Sequence, residues 1–142
     1  MLFEQAKNQR EDIVAILCAE KLPVDDLPES LDNFLVAMEN GKLIGVIGLE
    51  VYSAYGLLRS LAVLPEYRNK RVAGKLLKRL ESVAKLSGLH TLYLLTETAP
   101  NYFKNKGFTQ ISREQVPTEI QSSSEFSHVC PVSAIVMKKS IS

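Results

Sequence analysis

Leu61-Ala62-Val63-Leu64-Pro65-Glu66-Tyr67-Arg68-Asn69-Lys70-Arg71-Val72-Ala73-Gly74-Lys75 is the stretch on which the fold turns. Leu57 to Leu64 is leucine-rich and apolar, reads as a buried strand, and is ended by Pro65. From Val72 the period changes. Ala73, Leu76, Leu77, Leu80, Val83 and Ala84 follow helical spacing, and Gly88 stands where a helix C-cap belongs. Between strand and helix lies a basic turn: residues 68 to 79 hold six of the 17 Lys and Arg (Arg68, Lys70, Arg71, Lys75, Lys78 and Arg79) and no acid. The N–H groups of a first helical turn are unpaired and have the helix dipole behind them, an arrangement that suits phosphate oxygens. Small residues such as Ala73 and Gly74 let a phosphate approach the backbone, and Arg68, Lys70 and Arg71 surround it with charge. The plain alternative is a solvated cationic helix start. Basic side chains there oppose the dipole, however, which favours an anionic partner.

Working outward, Asn8 with Glu11 three residues later reads as the cap of a first helix, with Ile13, Ile16 and Leu17 as its apolar stripe and Pro23 after it. Cys18 falls on or near that stripe and is expected to be an inert core thiol. Residues 25 to 31 read as a short helix or turn. Phe34 to Glu39, Asn40-Gly41 and Lys42 to Val51 form a hairpin signal, because Asn-Gly supplies both positive-φ residues of a type I′ turn. A second turn around Ser53 to Gly56 leads into the strand already described. Beyond Gly88, His90 to Thr96 reads as a strand covered on both faces, hence parallel to a neighbour. Pro100 opens a short helix and Gly107 closes it; Phe108 to Arg113 reads as a strand, residues 117 to 126 as loop or short helix, and Val132 to Lys138 as a last strand. The fold class is a mixed, mostly antiparallel α/β sheet flanked by helices, in one domain spanning residues 1–142.

Composition is that of an ordinary globular domain, with 46% hydrophobic and 23% charged residues and a formal net charge of +1. No apolar run approaches the ~20 residues that span a bilayer, and the N-terminus carries no apolar export core, so no membrane association is expected. Cys18 and Cys130 lie far apart without metal-ligand neighbours, which suits a reducing compartment; the cytoplasm is the expected location. A local cationic patch on a near-neutral chain points to a compact anion. No aromatic residues interleave the charges of 68 to 79, so nucleic acid is not expected as a partner.

Arg68-Asn69-Lys70-Arg71-Val72-Ala73, followed by Gly74, resembles the Arg/Gln-x-x-Gly-x-Gly/Ala motif of the GNAT N-acetyltransferases. One position departs from it: Arg71 stands at the first glycine. The resemblance covers most of the chain, and it implies the GNAT fold, acetyl-CoA as cosubstrate, and pyrophosphate contacts from Arg68, Asn69, Lys70, Arg71, Val72, Ala73, Gly74 and Lys75. Further stretches (Leu57 to Val63, Tyr93 to Thr98, Gln115-Val116-Pro117 and Glu125 to Ala134) resemble the arsenic-resistance N-acetyltransferase subfamily. With the closing Val136-Met137-Lys138, the layout is similar to the catalytic domain of N-acetylglutamate synthases. Both relatives imply acetylation of the α-amino group of an amino acid or its analogue.

The resemblance also implies a bulge in the fourth strand that frees a backbone N–H for the acetyl carbonyl, with Leu61, Ala62 and Val63 at the matching positions. It implies that strands four and five part, with acetyl-CoA on one side and the amine on the other. Many relatives carry a tyrosine five residues before the phenylalanine of a Gly-Phe pair; here that residue is Phe103, and Tyr102 next to it points about 100° around the helix, as packing tyrosines do. Thr96 and Glu97 end the fifth strand, placed to order a water; Thr96 is a candidate cofactor contact, and Glu97 is the candidate water-coupled base, with an exposed loop acid as its alternative. Arg59 precedes Leu61 and Val63 on one face if side chains alternate, and with Ser60 it is the candidate clamp for a substrate carboxylate. An edge-strand charge reaching solvent is its alternative. His90 is expected to pack or cap, and Cys130 to pack, with a thiol facing an arsenic-bearing substrate as its alternative; His128 lies in the tail segment that would border the substrate, a weak signal by itself.

These features favour an N-acetyltransferase acting on a small amine that bears a carboxylate. A protein or polyamine acetyltransferase is the second enzyme reading, and a non-catalytic CoA-binding regulator is the alternative of another class. A homodimer is compatible with all three.

Overall fold

The computed structural model describes residues 1–123 and 134–141. Four helices and seven strands occur among them, in the order β1 (Leu2–Gln5), α1 (Arg10–Ala19), β2 (Phe34–Glu39), β3 (Lys42–Tyr52), β4 (Tyr55–Val63), α2 (Val72–Leu86), β5 (Thr91–Thr96), α3 (Pro100–Asn105), β6 (Thr109–Ile111), α4 (Thr118–Gln121) and β7 (Ile135–Ser140). The strands join in the order β1-β2-β3-β4-β5-β7-β6. Pairing is antiparallel for β1 with β2, β2 with β3, β5 with β7 and β6 with β7. The parallel ladder of β4 with β5 has three pairs, from Tyr55–Thr91 to Leu57–Tyr93. This is the mixed sheet expected from the sequence. The chain divides into two compact units, Met1–Leu49 with Arg59–Val83, and Glu50–Leu58 with the residues from Ala84 onward.

In the first unit, Ile13, Ile16 and Leu17 of α1 pack with Phe34, Val36, Leu43, Val46 and Ala62. The hairpin closes as its residues dictate: Asn40 and Gly41 both have positive φ, +52° and +79°. The β2–β3 register shifts between Ala37 and Met38, so that Ala37 faces Gly45 while Met38 faces Leu43. Gly45 and Gly48 are close-approach glycines. A Cβ at Gly48 would stand 2.5 Å from the ring of the fully buried Phe34. Two expectations fail here. The N-cap of α1 is Gln9 rather than Asn8, and it makes no side-chain cap; its Oε1 accepts from the Lys7 N–H instead. Cys18 is exposed, because it lies one residue, about 100°, past the buried Ile13-Ile16-Leu17 stripe. Residues 25 to 31 form turns, held by Arg10, whose Nη1 donates to the carbonyls of Pro28 and Glu29 at 2.7 and 3.2 Å.

In the second unit, Leu57, Tyr93, Val116, Ile120 and Val136 form the core. Two helices end on glycine as expected. Gly88 (φ +86°) follows α2, where the Leu89 N–H bonds the Ala84 carbonyl and the Gly88 N–H that of Lys85; Gly107 (φ +97°) follows α3. The last strand begins at Ile135, later than the expected 132, and runs on to Ser140. His90 does pack, edge-on to Tyr55, with ring centroids 5.2 Å apart. His128 and Cys130 fall outside the described residues, as does the tail motif up to Ser133.

Candidate active site

The candidate pyrophosphate loop lies wholly within the first unit. β4 ends at Val63, where Leu61 is half-buried and Ala62 and Val63 are buried, and Leu64 donates its N–H to the Ile44 carbonyl at 2.9 Å. Pro65 then starts a short 3-10 turn through Lys70, and Arg71 joins that turn to α2. Arg71 has φ +59° and ψ +27°, the left-handed region. Glycine enters that region without steric penalty, so the family motif's glycine at this position has a backbone reason, and Arg71 meets the same geometry at a cost of about 1–2 kcal/mol. The first helical bond of the following turn runs from the Lys75 N–H to the Arg71 carbonyl, 3.1 Å. The N–H groups of Val72, Ala73 and Gly74 precede it and have no acceptor within the helix. No acid stands in that first turn.

The cations around these N–H groups differ in their availability. Asn69, Lys70, Arg71 and Lys75 are exposed. Lys70 lies over the Tyr67 ring, its Nζ 5.4 Å from the centroid. Arg68 is committed to the protein: its guanidinium pairs with Glu20 just past α1, and its Nε donates to the Val63 carbonyl at 3.4 Å. Arg68 therefore fastens the loop to the end of β4, and the charge left for a ligand comes from Lys70, Arg71 and Lys75. Ala73 and Gly74 are half-exposed, so the backbone at the start of α2 is open to a phosphate.

Arg59 and Ser60 differ from what the sequence suggested. Ser60 has φ +61° in mid-strand, a left-handed residue inside β4. A left-handed residue breaks the alternation of side chains, so Arg59 cannot be placed with Leu61 and Val63 by counting in twos. Its guanidinium instead reaches the turn that follows α1. Nη1 donates to Asp26 Oδ2 at 2.9 Å, Nη2 to Asp26 Oδ1 at 2.7 Å, and Nε to Ser60 Oγ at 3.0 Å. Leu27, next to Asp26, packs in the same cluster as Ala62. The Arg59 side chain is 0% exposed and that of Asp26 7%. The fork expected to grip a substrate carboxylate thus already holds a carboxylate of the chain, and the Ser60 hydroxyl is engaged with it. That expectation is corrected. The edge-strand alternative fails as well, since the charge is buried. The Asp26 partner, 33 residues away, had no local signal in the sequence.

Thr96 and Glu97 belong to the second unit, at the end of β5. Thr96 Oγ1 accepts from the Ala99 N–H at 3.1 Å and so shapes the turn into α3, while Glu97 is exposed. In α3, Phe103 is buried against Phe108, with centroids 5.7 Å apart. Tyr102 packs edge-on to Phe103 at 5.3 Å under the Lys106 ammonium. Its hydroxyl is buried without a hydrogen-bond partner among the described residues, and burial pushes its pKa up, so the phenol keeps its proton.

Comparison with known proteins gives these features a family. The acetyltransferase (GNAT) domain matches residues 30–110. An N-acetyltransferase of Chlorobaculum tepidum is 33% identical over 70% of this chain and 64% of its own length. An amino-acid acetyltransferase of Pseudomonas fluorescens is 35% identical over 65% of this chain and 22% of its own length. The chain therefore spans less than two thirds of the first of these relatives and about a fifth of the second. Among solved structures, N-acetylglutamate synthase from Neisseria gonorrhoeae, complexed with coenzyme A and N-acetyl-glutamate, aligns with a TM-score of 0.85 at 17% identity, covering 99% of this chain and 35% of that one. With residues 30–110 matched and the strand–loop–helix element in place, this chain belongs to the GNAT family of acetyltransferases.

Proposed function

We propose that the protein is an acetyl-CoA-dependent N-acetyltransferase whose acceptor is the amine of an amino acid or an amino-acid analogue. The observation that carries it is the start of α2: three N–H groups without helical acceptors, at Val72, Ala73 and Gly74, stand beside exposed Lys70, Arg71 and Lys75 with no acid in the turn. Such an end suits a pyrophosphate better than water alone. The amino-acid acceptor is supported by the likeness to the Pseudomonas fluorescens amino-acid acetyltransferase. The motifs similar to the arsenic-resistance subfamily extend the candidate acceptors to toxic amino-acid analogues.

In this reading the bound cosubstrate supplies the thioester acetyl group. The residues of the chain bind, orient and move protons. Val72, Ala73 and Gly74 hold the pyrophosphate through backbone N–H groups, Lys70, Arg71 and Lys75 add charge, and Asn69 and Arg68 complete the loop. Leu61, Ala62 and Val63, which follow the left-handed Ser60, keep the role that the resemblance implies, backbone contacts to the thioester carbonyl and the arm behind it. Thr96 remains the candidate cofactor contact of β5, and Glu97, which is exposed, the candidate water-coupled base. With the Arg59 fork filled by Asp26, carboxylate recognition falls to other groups. The test is thiol release from acetyl-CoA across matched amines with and without an α-carboxylate. Faster release with amino acids is expected; release only with polyamines or protein lysines would replace this acceptor, and none with any amine would leave a binding module.

A further inference from the structure

Among the described residues, the buried polar and charged positions are Arg59, Ser60 and Ser123, and Arg59 is the only charge among them. Burying an ion pair is often no better for stability than an apolar pair of similar volume, so its presence calls for a reason in geometry. What a guanidinium adds is a fixed plane. Among the described residues, donors in that plane reach Asp26 and Ser60: Nη1 and Nη2 donate to the Asp26 carboxylate, Nη1 also lies 3.5 Å from the Asp26 carbonyl, and Nε donates to the Oγ of Ser60. Ser60 is also the residue held at φ +61° inside a strand, a conformation that non-glycine residues keep only where their surroundings impose it. The turn that carries Asp26 is itself fastened, since Arg10 donates to the carbonyls of Pro28 and Glu29. The plane therefore joins an anchored turn to the one strained residue of β4.

We propose that the Arg59–Asp26 pair is the lock that keeps Ser60 left-handed and so sets the direction of the Leu61–Val63 backbone. Arg59 and Asp26 are positioning residues for acyl transfer; neither touches the substrate. This rests on the reading above, in which that backbone meets the thioester. Asp26→Asn keeps the shape but weakens the fork, and Arg59→Lys keeps the charge but loses the plane.

Each variant is compared with wild type, as the full ¹⁵N-labelled chain, in amide hydrogen exchange and in steady-state kinetics. Exchange at Leu61, Ala62 and Val63 should rise roughly tenfold or more relative to the β2–β3 hairpin amides. The kcat should fall about 10- to 100-fold, the penalty of misplaced groups, while the dissociation constant for CoA stays within about threefold. An increase in exchange spread evenly over the chain with unchanged kcat would overturn the lock, leaving a pair that only stabilises. A rise confined to KM for carboxylate-bearing amines would overturn it too and return Arg59 to the substrate. Should Asp26→Asn not fold, Arg59→Lys decides by the same split. If wild type acetylates no amine, the functional reading fails, and the local exchange pattern alone decides the lock.

Discussion

The β2–β3 hairpin and the segment from β4 into α2 each take the backbone through the left-handed region twice, with opposite kinds of residue. The hairpin uses Asn40 and Gly41, which tolerate that conformation, while the β4–α2 segment uses Ser60 and Arg71, which do not. The hairpin is thus shaped by its own residues. The second segment is shaped by contacts from elsewhere: Asp26 on Arg59, and Glu20 on Arg68. Backbone strain of about 1–3 kcal/mol per residue persists only where the surroundings impose it, and such residues cluster at ligand-gripping sites. A change in the hairpin should therefore cost stability and spare ligand binding; a change at the start of α2 should do the reverse.

Gly48→Ala should show the largest effect on folding. Its methyl would stand 2.5 Å from ring atoms of the buried Phe34, so the ring must shift, at about 1–3 kcal/mol. Chemical denaturation should report that loss, while CoA affinity measured where the variant is folded should match wild type. A variant that keeps its stability but loses CoA would break the comparison.

The same contrast explains what could be read from the sequence. Asn40-Gly41, Pro65, Gly88 and Gly107 act on their immediate neighbours, and the elements they bound were legible, as was the cationic loop of residues 68 to 75. Features set by distant partners were not. Counting in twos along β4 assumed uniform pleating, which the left-handed Ser60 breaks, and nothing near Arg59 pointed to Asp26. Cys18 was misplaced for a smaller reason: on a ten-residue helix one position past the stripe is enough to face water. The charge of Arg68 is visible in the sequence, while its Glu20 partner, 48 residues away, is not.

Arg71→Gly should have a smaller effect, of opposite sign. It removes a side chain from φ +59°, and after the extra freedom of glycine in the unfolded chain a gain of about 0.5–1 kcal/mol is expected. A loss of stability would mean that the Arg71 side chain holds the loop together. The smallest effect belongs to the second unit. Burial raises the pKa of Tyr102, so the folded state keeps a proton that the unfolded state releases near pH 10. That contribution is fully present below pH 10 and is lost as pH rises through the folded value. Tyr102→Phe should flatten part of the decline in stability above pH 10, leaving the part due to Tyr93, whose pKa burial and the Tyr55 charge also raise. The same variant should retain turnover within about tenfold, and a hundredfold loss with folding intact would make Tyr102 the proton donor.

The most direct test asks whether the start of α2 grips a pyrophosphate. Wild type and Gly74→Glu would be melted with and without CoA at a hundred times the wild-type dissociation constant. Glutamate in a first helical turn suits the dipole and helix propensity, so the variant should fold at least as well as wild type. Wild type should gain ~2.7 kcal/mol, a rise of roughly 8–12 °C for a chain of this size. The variant should gain almost nothing, because bulk and negative charge then stand where the phosphates would sit. An equal rise in both proteins would contradict the assignment of Val72, Ala73 and Gly74 as the anion site.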